Sequence, residues 1–246
     1  MARPSFRERA LVVGSHDFRE ADRIVVLLTR TRSVVRAVAK GVRRSNSRFG
    51  SRLQPFVLLD VQLYEGTNLC SLTGADTVEY LAHGLIEDFE RYTAAAAILQ
   101  AARRYAVADD HDPFLFDSTL AALRRMRDSA DPLVDVDEFL LQVMMHEGLA
   151  PSLFDCANCG KPGPHHAFVA ALGGAVCGNC RPPGMVNVDE QALRLMWLLA
   201  HGHREAAQQL LEGSNGQQLA AMMHRMVSQC VSVQVGSPLR ALQLGQ

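Results

Sequence analysis

Four cysteines in two close pairs, Cys156/Cys159 and Cys177/Cys180, constrain this chain more than any other feature. They read C-A-N-C, then a 17-residue gap, then C-G-N-C. Each C-x-x-C can present two thiolates from one tight turn, so the two pairs predict a tetrahedral Zn2+ site with four sulfur ligands. Gly160 and Gly178 follow or lie within these turns and relieve them, and Asn158 and Asn179 tolerate the same geometry. Ala167–Ala171 and Ala175–Val176, joined by Gly173-Gly174, predict a short hairpin between the knuckles, a zinc-ribbon-like plan. Four sulfurs leave no open position for water or substrate, which makes the metal structural. A redox-active cysteine set and an iron-sulfur cluster are the alternatives. His165 and His166 are expected on the solvated loop. Cys70 and Cys230, isolated in apolar surroundings, read as buried thiols.

Net charge is only −1, but the average conceals a polar distribution. Residues 1–52 carry 13 Arg/Lys against four Asp/Glu, whereas residues 53–150 carry six against 17. Between Arg23 and Leu59 there are nine basic residues and no acid. The basic end suits an anionic polymer, and the acidic middle suits basic surface on a protein partner. At 48% hydrophobic residues the chain can bury an ordinary globular core. It has no apolar run of membrane-spanning length and no apolar signal segment after Met1, so a cytoplasmic placement without membrane contact is expected.

The first 80 residues read as five short strands, Ala10–Gly14, Arg23–Leu28, Val34–Ala39, Phe56–Leu63 and Leu69–Leu72, with Tyr64-Glu65-Gly66-Thr67 as a hairpin turn. Five strands in one small domain fit an oligonucleotide-binding (OB) barrel. Alternation puts Val35, Ala37 and Ala39 on one face of the third strand and Arg36 on the other with Val34, Val38 and Lys40. Val57, Leu59, Val61 and Leu63 form a second inner stripe, with Phe56, Gln62 and Tyr64 opposite. Gly41–Ser51 is a loop bearing Arg43, Arg44 and Arg48. Arg32, Arg36, Lys40, Arg43, Arg44, Arg48 and Arg52, with Tyr64 as a stacking ring, are the candidate nucleic-acid contacts, since guanidinium groups meet phosphates and rings stack on bases. Phe49 and Phe56 read as core.

Beyond Asp76 the pattern turns helical. Val78–Val107 reads as one long helix or two joined ones, Pro113–Arg127 as another, and Asp135 caps a third through Glu138 that ends near Glu147. Helices resume at Asp189–Ala200, Arg204–Leu211 and Gln217–Gln229. The fold class is therefore a multidomain α+β chain: an OB-fold barrel (1–78), a helical domain (79–152 and 185–246, the second part with the C-terminal tail), and a four-cysteine module (153–184) inserted in it.

Sequence motifs for catalysis are lacking. There is no P-loop, G-x-G-x-x-G, H-E-x-x-H or G-x-S-x-G. Asp109, Asp110, His111 and Asp112 read as a helix end and loop before Pro113, with a hard-metal site as the rival reading. His201, His203 and His224 read as surface or packing histidines. Met222, Met223 and Met226 read as an apolar helix stripe. A binding protein, not an enzyme, is expected.

Together these pieces resemble the RecO family of bacterial DNA repair and recombination mediators. The resemblance rests on Ala10–Val13, Phe18–Thr29, Val35–Arg44 and Ser47–Phe56, then on His146-Glu147-Gly148-Leu149-Ala150-Pro151 ahead of the cysteine pairs, and on Ser237–Leu242. It implies an N-terminal OB barrel, a helical domain and a zinc module. It implies binding of single- and double-stranded DNA, annealing of complementary strands and a nucleoid-associated place in the RecFOR pathway. It further implies that the protein works with RecR to help load the recombinase RecA onto DNA coated by the single-strand-binding protein SSB, touching that protein's acidic C-terminal tail. Arg36, Lys40, Arg43 and Arg44 match the family's basic block, and DNA contact is carried onto them. Arg124, Arg125 and Arg127 receive no role. The turn Thr31-Arg32-Ser33 departs from the family in lacking a glycine. An RNA-binding zinc protein, a non-annealing adaptor, and a metal-dependent nuclease built on Asp109–Asp112 are the rival functions.

Overall fold

The computed structural model describes residues 5–44, 46, 47, 49–107 and 111–239, without the side chains of residues 50 and 51. The chain divides into two compact units, 1–129 and 130–246.

The first unit is built on five strands: β1 (Ser5–Phe18), β2 (Asp22–Thr29), β3 (Ser33–Ala39), β4 (Val57–Tyr64) and β5 (Cys70–Tyr80). They close into a barrel in the order β1-β2-β3-β5-β4, with β1 pairing back onto β4. The β3–β5 pair is parallel and the others are antiparallel. Alternation fills the interior as the sequence requires: Ala10, Val12, Val25, Leu27, Ala37, Ala39, Val57, Leu59, Val61, Leu63, Leu72 and Ala75 make one buried cluster. Phe49 and Leu53, flanking a 3₁₀ turn at Gly50–Leu53, join it from the β3–β4 connection. The ladder shifts between Val12 and Gly14. A Cβ on Gly14 would stand 3.1 Å from an Arg103 guanidinium nitrogen, so a glycine here allows close approach of the following helix.

The β2–β3 turn works without glycine because Ser33 itself takes the left-handed conformation, φ +48°. Thr29 holds it: its Oγ1 donates to the Ser33 carbonyl at 3.0 Å and accepts from the Arg32 amide at 3.2 Å. These two bonds offset the cost of left-handed backbone at a residue with a Cβ.

The strand-to-helix change falls later than composition predicts. Val78–Tyr80 continue β5, paired with β4 through Val57, and α1 begins only at Phe89 and runs to Tyr105. Pairing with β4 overrides a locally helix-compatible sequence. Asp88 caps α1, accepting from the Arg91 amide at 2.8 Å. An alanine-rich stripe, Ala94, Ala95, Ala97, Ala101 and Ala102, is buried along it. α2 (Phe114–Met126) packs on α1, and both lie in the barrel's unit. Asp112 accepts from the Phe114 amide at 2.8 Å, a capping role; Asp109 and Asp110 lie outside the described residues.

The second unit holds α3 (Pro132–His146), α4 (Glu190–Ala200), α5 (Arg204–Leu211) and α6 (Gly216–Val235), with the cysteine module between α3 and α4. The α3 cap is Asp131, not Asp135: its carboxylate accepts from the Val134 amide at 3.2 Å and Pro132 fills the first helical position. Asp135 is instead buried and ion-paired with Arg204 of α5. α6 extends six residues past the expected end at Gln229 and stops at Gly236, φ +72°. Among the described residues no helix is long and apolar enough to cross a membrane.

Candidate nucleic-acid interface and metal centre

β3 carries its side chains in two rows. Ala37 and Ala39 point into the core, whereas Arg36 and, just beyond the strand, Lys40 are exposed. The ladders fix the neighbours of this outer row: Val38 pairs with Ser71 on β5, and Ser71 with Tyr64 on β4. Paired residues share a face, so Val38, Ser71 and Tyr64 form one outward row across three strands, spanning roughly 10 Å at the usual strand spacing. Tyr64 is 40% exposed, leaving part of its ring open to solvent. Arg36 and Lys40 flank that row along β3. After Lys40 the chain folds back beside the β1–β2 turn: the Arg43 amide donates to the Ala21 carbonyl at 3.0 Å, and the Gly41 amide to Asp22 at 2.8 Å. This brings Arg43 and Arg44 to the same end of the hairpin as Lys40. Arg43 lies 3.4 Å from Asp17, which also binds Arg23. These two cations, led by the Arg23 hydrogen bond, hold the Asp17 carboxyl below its ordinary value. Among the described residues, Arg36, Lys40 and Arg44 have no ion-pair partner.

The structure does not gather all the predicted cations. Arg32 sits in the β2–β3 turn, about 20 Å from Ala39 along a seven-residue strand. Its guanidinium is committed twice, to Glu65 at 2.9 Å and over the Phe6 ring at 4.1 Å from the centroid. Arg52 donates to the Ala75 carbonyl at 3.2 Å, holding the 3₁₀ turn against β5. Arg48 lies outside the described residues. Phe49 and Phe56 are buried, Phe56 edge-on to Tyr92 with ring centroids 5.9 Å apart.

In the cysteine module, the four Sγ atoms of Cys156, Cys159, Cys177 and Cys180 all lie within 4.8 Å of one another. Cys159 and Cys177 are 3.7 Å apart, close to the roughly 3.8 Å edge of a tetrahedron with metal–sulfur bonds of about 2.3 Å. The donor set and its spacing therefore fit a tetrahedral thiolate-bound metal ion. Hydrogen bonds from one backbone and one side-chain amide support thiolate character. The Cys177 amide donates to Cys156 Sγ at 3.3 Å, and Asn158 Nδ2 to Cys180 Sγ at 3.3 Å. Amide donors, the Cys177 N–H foremost, pull the Cys156 thiol down to about 6. At Cys159 the Lys161 amide favours the thiolate, but the crowding of the other three sulfurs outweighs it and pushes the thiol up to about 11. Four thiolates cannot gather here without a cation to neutralise them.

The predicted hairpin forms as β6 (Phe168–Val169) and β7 (Gly174–Ala175), joined through a 3₁₀ turn at Ala170–Leu172. Gly174, φ +141°, abuts Ser152: an added Cβ would lie 2.2 Å from the Ser152 carbonyl oxygen. His165 is buried, with Nε2 2.9 Å from the Lys161 carbonyl, and is not the solvated residue the sequence suggests; His166 is exposed. His165 serves the loop between the knuckles, which local sequence alone does not reveal.

His224 reads from the sequence as an ordinary packing or surface residue. It is buried on α6 and bonded to Asp137 of α3, and the acidic residues of α3 give no sequence signal for this pairing.

A closed barrel with exposed cations on one face, and a helical unit with four cysteines placed to hold a metal ion, fit the class of DNA-handling mediators. Comparison with known families agrees along the chain's length. Residues 1–81 match the family described as recombination protein O N terminal, and residues 86–243 match recombination protein O C terminal. The chain belongs to the RecO family and is a recombination mediator without enzymatic activity.

Proposed function

We propose that the barrel is an OB fold whose β3–β5–β4 face binds single- and double-stranded DNA. The observation that carries this reading is the outward row Val38–Ser71–Tyr64 flanked by Arg36 and Lys40, continued by Arg43 and Arg44. OB barrels use the face of strands 2 and 3 with the loops after strands 1 and 4; here β3 and both loops take part, while Ile24 and Val26, the β2 partners of Val38 and Arg36, are buried. In this chain those loops are 19–21, against which Arg43 rests, and 65–69, which follows Tyr64. Phosphates meet the cations, and a base stacks on Tyr64. The family matches change over between residues 81 and 86, which supports a DNA-binding domain that ends with β5 at Tyr80, two residues past the expected 78; the helical parts 79–152 and 185–246 and the 153–184 module remain part of this proposal.

The cluster of Cys156, Cys159, Cys177 and Cys180 holds one structural Zn2+, whose bonding free energy supports folding of the module. Annealing needs no covalent chemistry: the basic face neutralises phosphates, lowers repulsion between strands and lets complements meet. Together with RecR the protein helps load RecA onto DNA coated by SSB, whose acidic C-terminal tail it contacts, at the nucleoid within the cytoplasm.

The test is annealing of complementary single strands coated with their binding protein, without nucleotide or magnesium. Wild type accelerates it, and Arg43→Glu/Arg44→Glu with Arg36→Glu removes the acceleration. DNA binding without acceleration would favour an adaptor that acts only with its partners, and a strong RNA preference would favour an RNA-binding protein.

A further inference from the structure

The turn between β1 and β2 carries backbone strain at an exposed arginine. Arg19 has φ +57°, in the left-handed region that glycine enters freely and a residue with a Cβ enters at a cost. Among the described residues two other non-glycines do so. Ser33 is held by Thr29, and both Ser33 and Phe56 are buried. Arg19 is exposed, and among the described residues no ion pair holds it. Its guanidinium carbon stands instead 5.1 Å from the centroid of the Phe18 ring, itself partly exposed. Strain kept at such a site points to a use for the side chain.

The ladders place this turn beside the cations already described. Paired residues share a face, and so do residues two apart along a strand. Phe18 pairs with Asp22, and Ile24, two residues on, pairs with Val38, so Phe18 has the outward parity of Val38. Ile24 and Val26 are buried, so a strand laid on Val38 cannot continue flat across β2. The open route runs round the hairpin end, where the Gly41 amide meets Asp22 and the Arg43 amide meets Ala21. Arg19, Arg23, Lys40, Arg43 and Arg44 gather there against Asp17, Glu20 and Asp22. Asp17 is taken by Arg23 and Arg43, and Asp22 by the Gly41 amide, which leaves Glu20 as the open carboxylate of the three.

We infer that Phe18 and Arg19 form a second stacking station for single-stranded DNA, separate from Tyr64. The inference rests on the DNA-binding reading above and extends the strand's path beyond it. A strand with one base on Tyr64 passes Lys40 and Arg43 and brings a later base to the turn. Aromatic rings and guanidinium planes both take a base by stacking, and the charge of Arg19 meets a phosphate. Counted through β5, β3 and β2, the two stations lie four strand spacings apart, about 19 Å around the barrel. The left-handed backbone is then the cost of holding a cation where a relaxed turn would carry glycine.

Fluorescence anisotropy of a labelled oligothymidylate with the full-length protein, repeated across salt concentrations, tests this alongside urea unfolding. Arg19→Gly removes the guanidinium and relieves the left-handed backbone, so the unfolding midpoint holds or rises. Affinity nevertheless falls about fivefold or more, and the salt slope drops by about 0.7, one single-strand phosphate. Phe18→Leu keeps apolar bulk and a native circular dichroism spectrum; it lowers affinity by a similar factor with the slope nearly unchanged. Unchanged affinity in Arg19→Gly, or a fall in affinity together with a lower unfolding midpoint, overturns the inference. Arg36→Glu/Arg43→Glu/Arg44→Glu separates it from the reading it rests on. If that chain has lost binding while Arg19→Gly keeps it, the second station alone falls. If that chain binds like wild type, the DNA-face reading falls, and the second station with it.

Discussion

The imidazole of His224 and the carboxylate of Asp137 face each other inside the second unit, Nδ1 to Oδ1 at 3.0 Å, joining α6 to α3. His224 Nε2 lies 3.4 Å from Ser228 Oγ one turn on, so both ring nitrogens have polar neighbours. Burial pulls the His224 pKa down, but the hydrogen bond and charge of Asp137 outweigh it against Arg225, and the net shift is upward. Asp137 is raised as well, by burial above all and by Asp131, against the lowering effect of His224. Both shifts favour keeping protons on the pair.

A group whose folded pKa is raised adds stability that is fully present below its unfolded value and is lost as pH rises through the folded value. The histidine's contribution is therefore complete below its ordinary value of 6.5 and declines above it. Asp137→Leu strands a buried imidazole and costs about 3–5 kcal/mol. Urea unfolding from pH 5.5 to 8.5 should show wild-type stability falling with pH by more than that of Asp137→Leu/His224→Leu. Parallel curves would remove the pair from the pH response.

Removal of the metal should unfold the module and loosen the helical unit without touching a chemical step. Cys156→Ala takes away one thiolate from a set whose members otherwise repel. The expected result is loss of bound zinc by atomic emission and a lower unfolding temperature, with oligonucleotide affinity at the barrel retained. Full zinc content in the variant would contradict the four-sulfur assignment.

Gly174 tests the scaffold of the same centre. An added methyl meets the Ser152 backbone at 2.2 Å, and neither side of that contact is a flexible side-chain end. Gly174→Ala should therefore hasten zinc release to a chromogenic chelator, whereas Gly160→Ala, with nothing within 4 Å but φ +72°, should have a milder effect through backbone strain alone.

The DNA face makes a prediction that separates its arginines. Arg36→Ala and Lys40→Ala should each flatten the salt dependence of binding by about one phosphate contact. Tyr64→Ala should cost about 1–3 kcal/mol with little change in that slope. Arg32→Ala should leave the slope nearly unchanged, since its charge is already met by Glu65 and the Phe6 ring. Fluorescence anisotropy titrations across salt concentrations distinguish these cases; an Arg32 slope change equal to that of Arg36 would contradict the separation.

Strand parity is legible because a period of two leaves one solution once Val57, Leu59, Val61 and Leu63 must go inside; Arg36 then has to face out. Cysteine spacing is legible because two thiolates from one tight turn need that interval. The seven basic residues look like one cluster because they are near in sequence, yet a seven-residue strand carries Arg32 to the far end of the hairpin from Arg43. Composition starts helix α1 too early because Val78–Tyr80 are held in β5 by a partner more than 20 residues away, Val57.

By itself the sequence determined what depends on local spacing: the sulfur ligand set, the inner and outer rows of the barrel, most helix limits and the basic character of the first 52 residues. Tertiary structure decided what depends on meeting distant chain. It joined Tyr64 to the row of Val38, engaged Arg32 with Glu65, buried Asp135 against Arg204 and His224 against Asp137. The reason is physical. Periodicity and turn geometry are set by bonded neighbours, whereas the partner of a charge is whichever group the closed barrel and packed helices bring within a few ångströms.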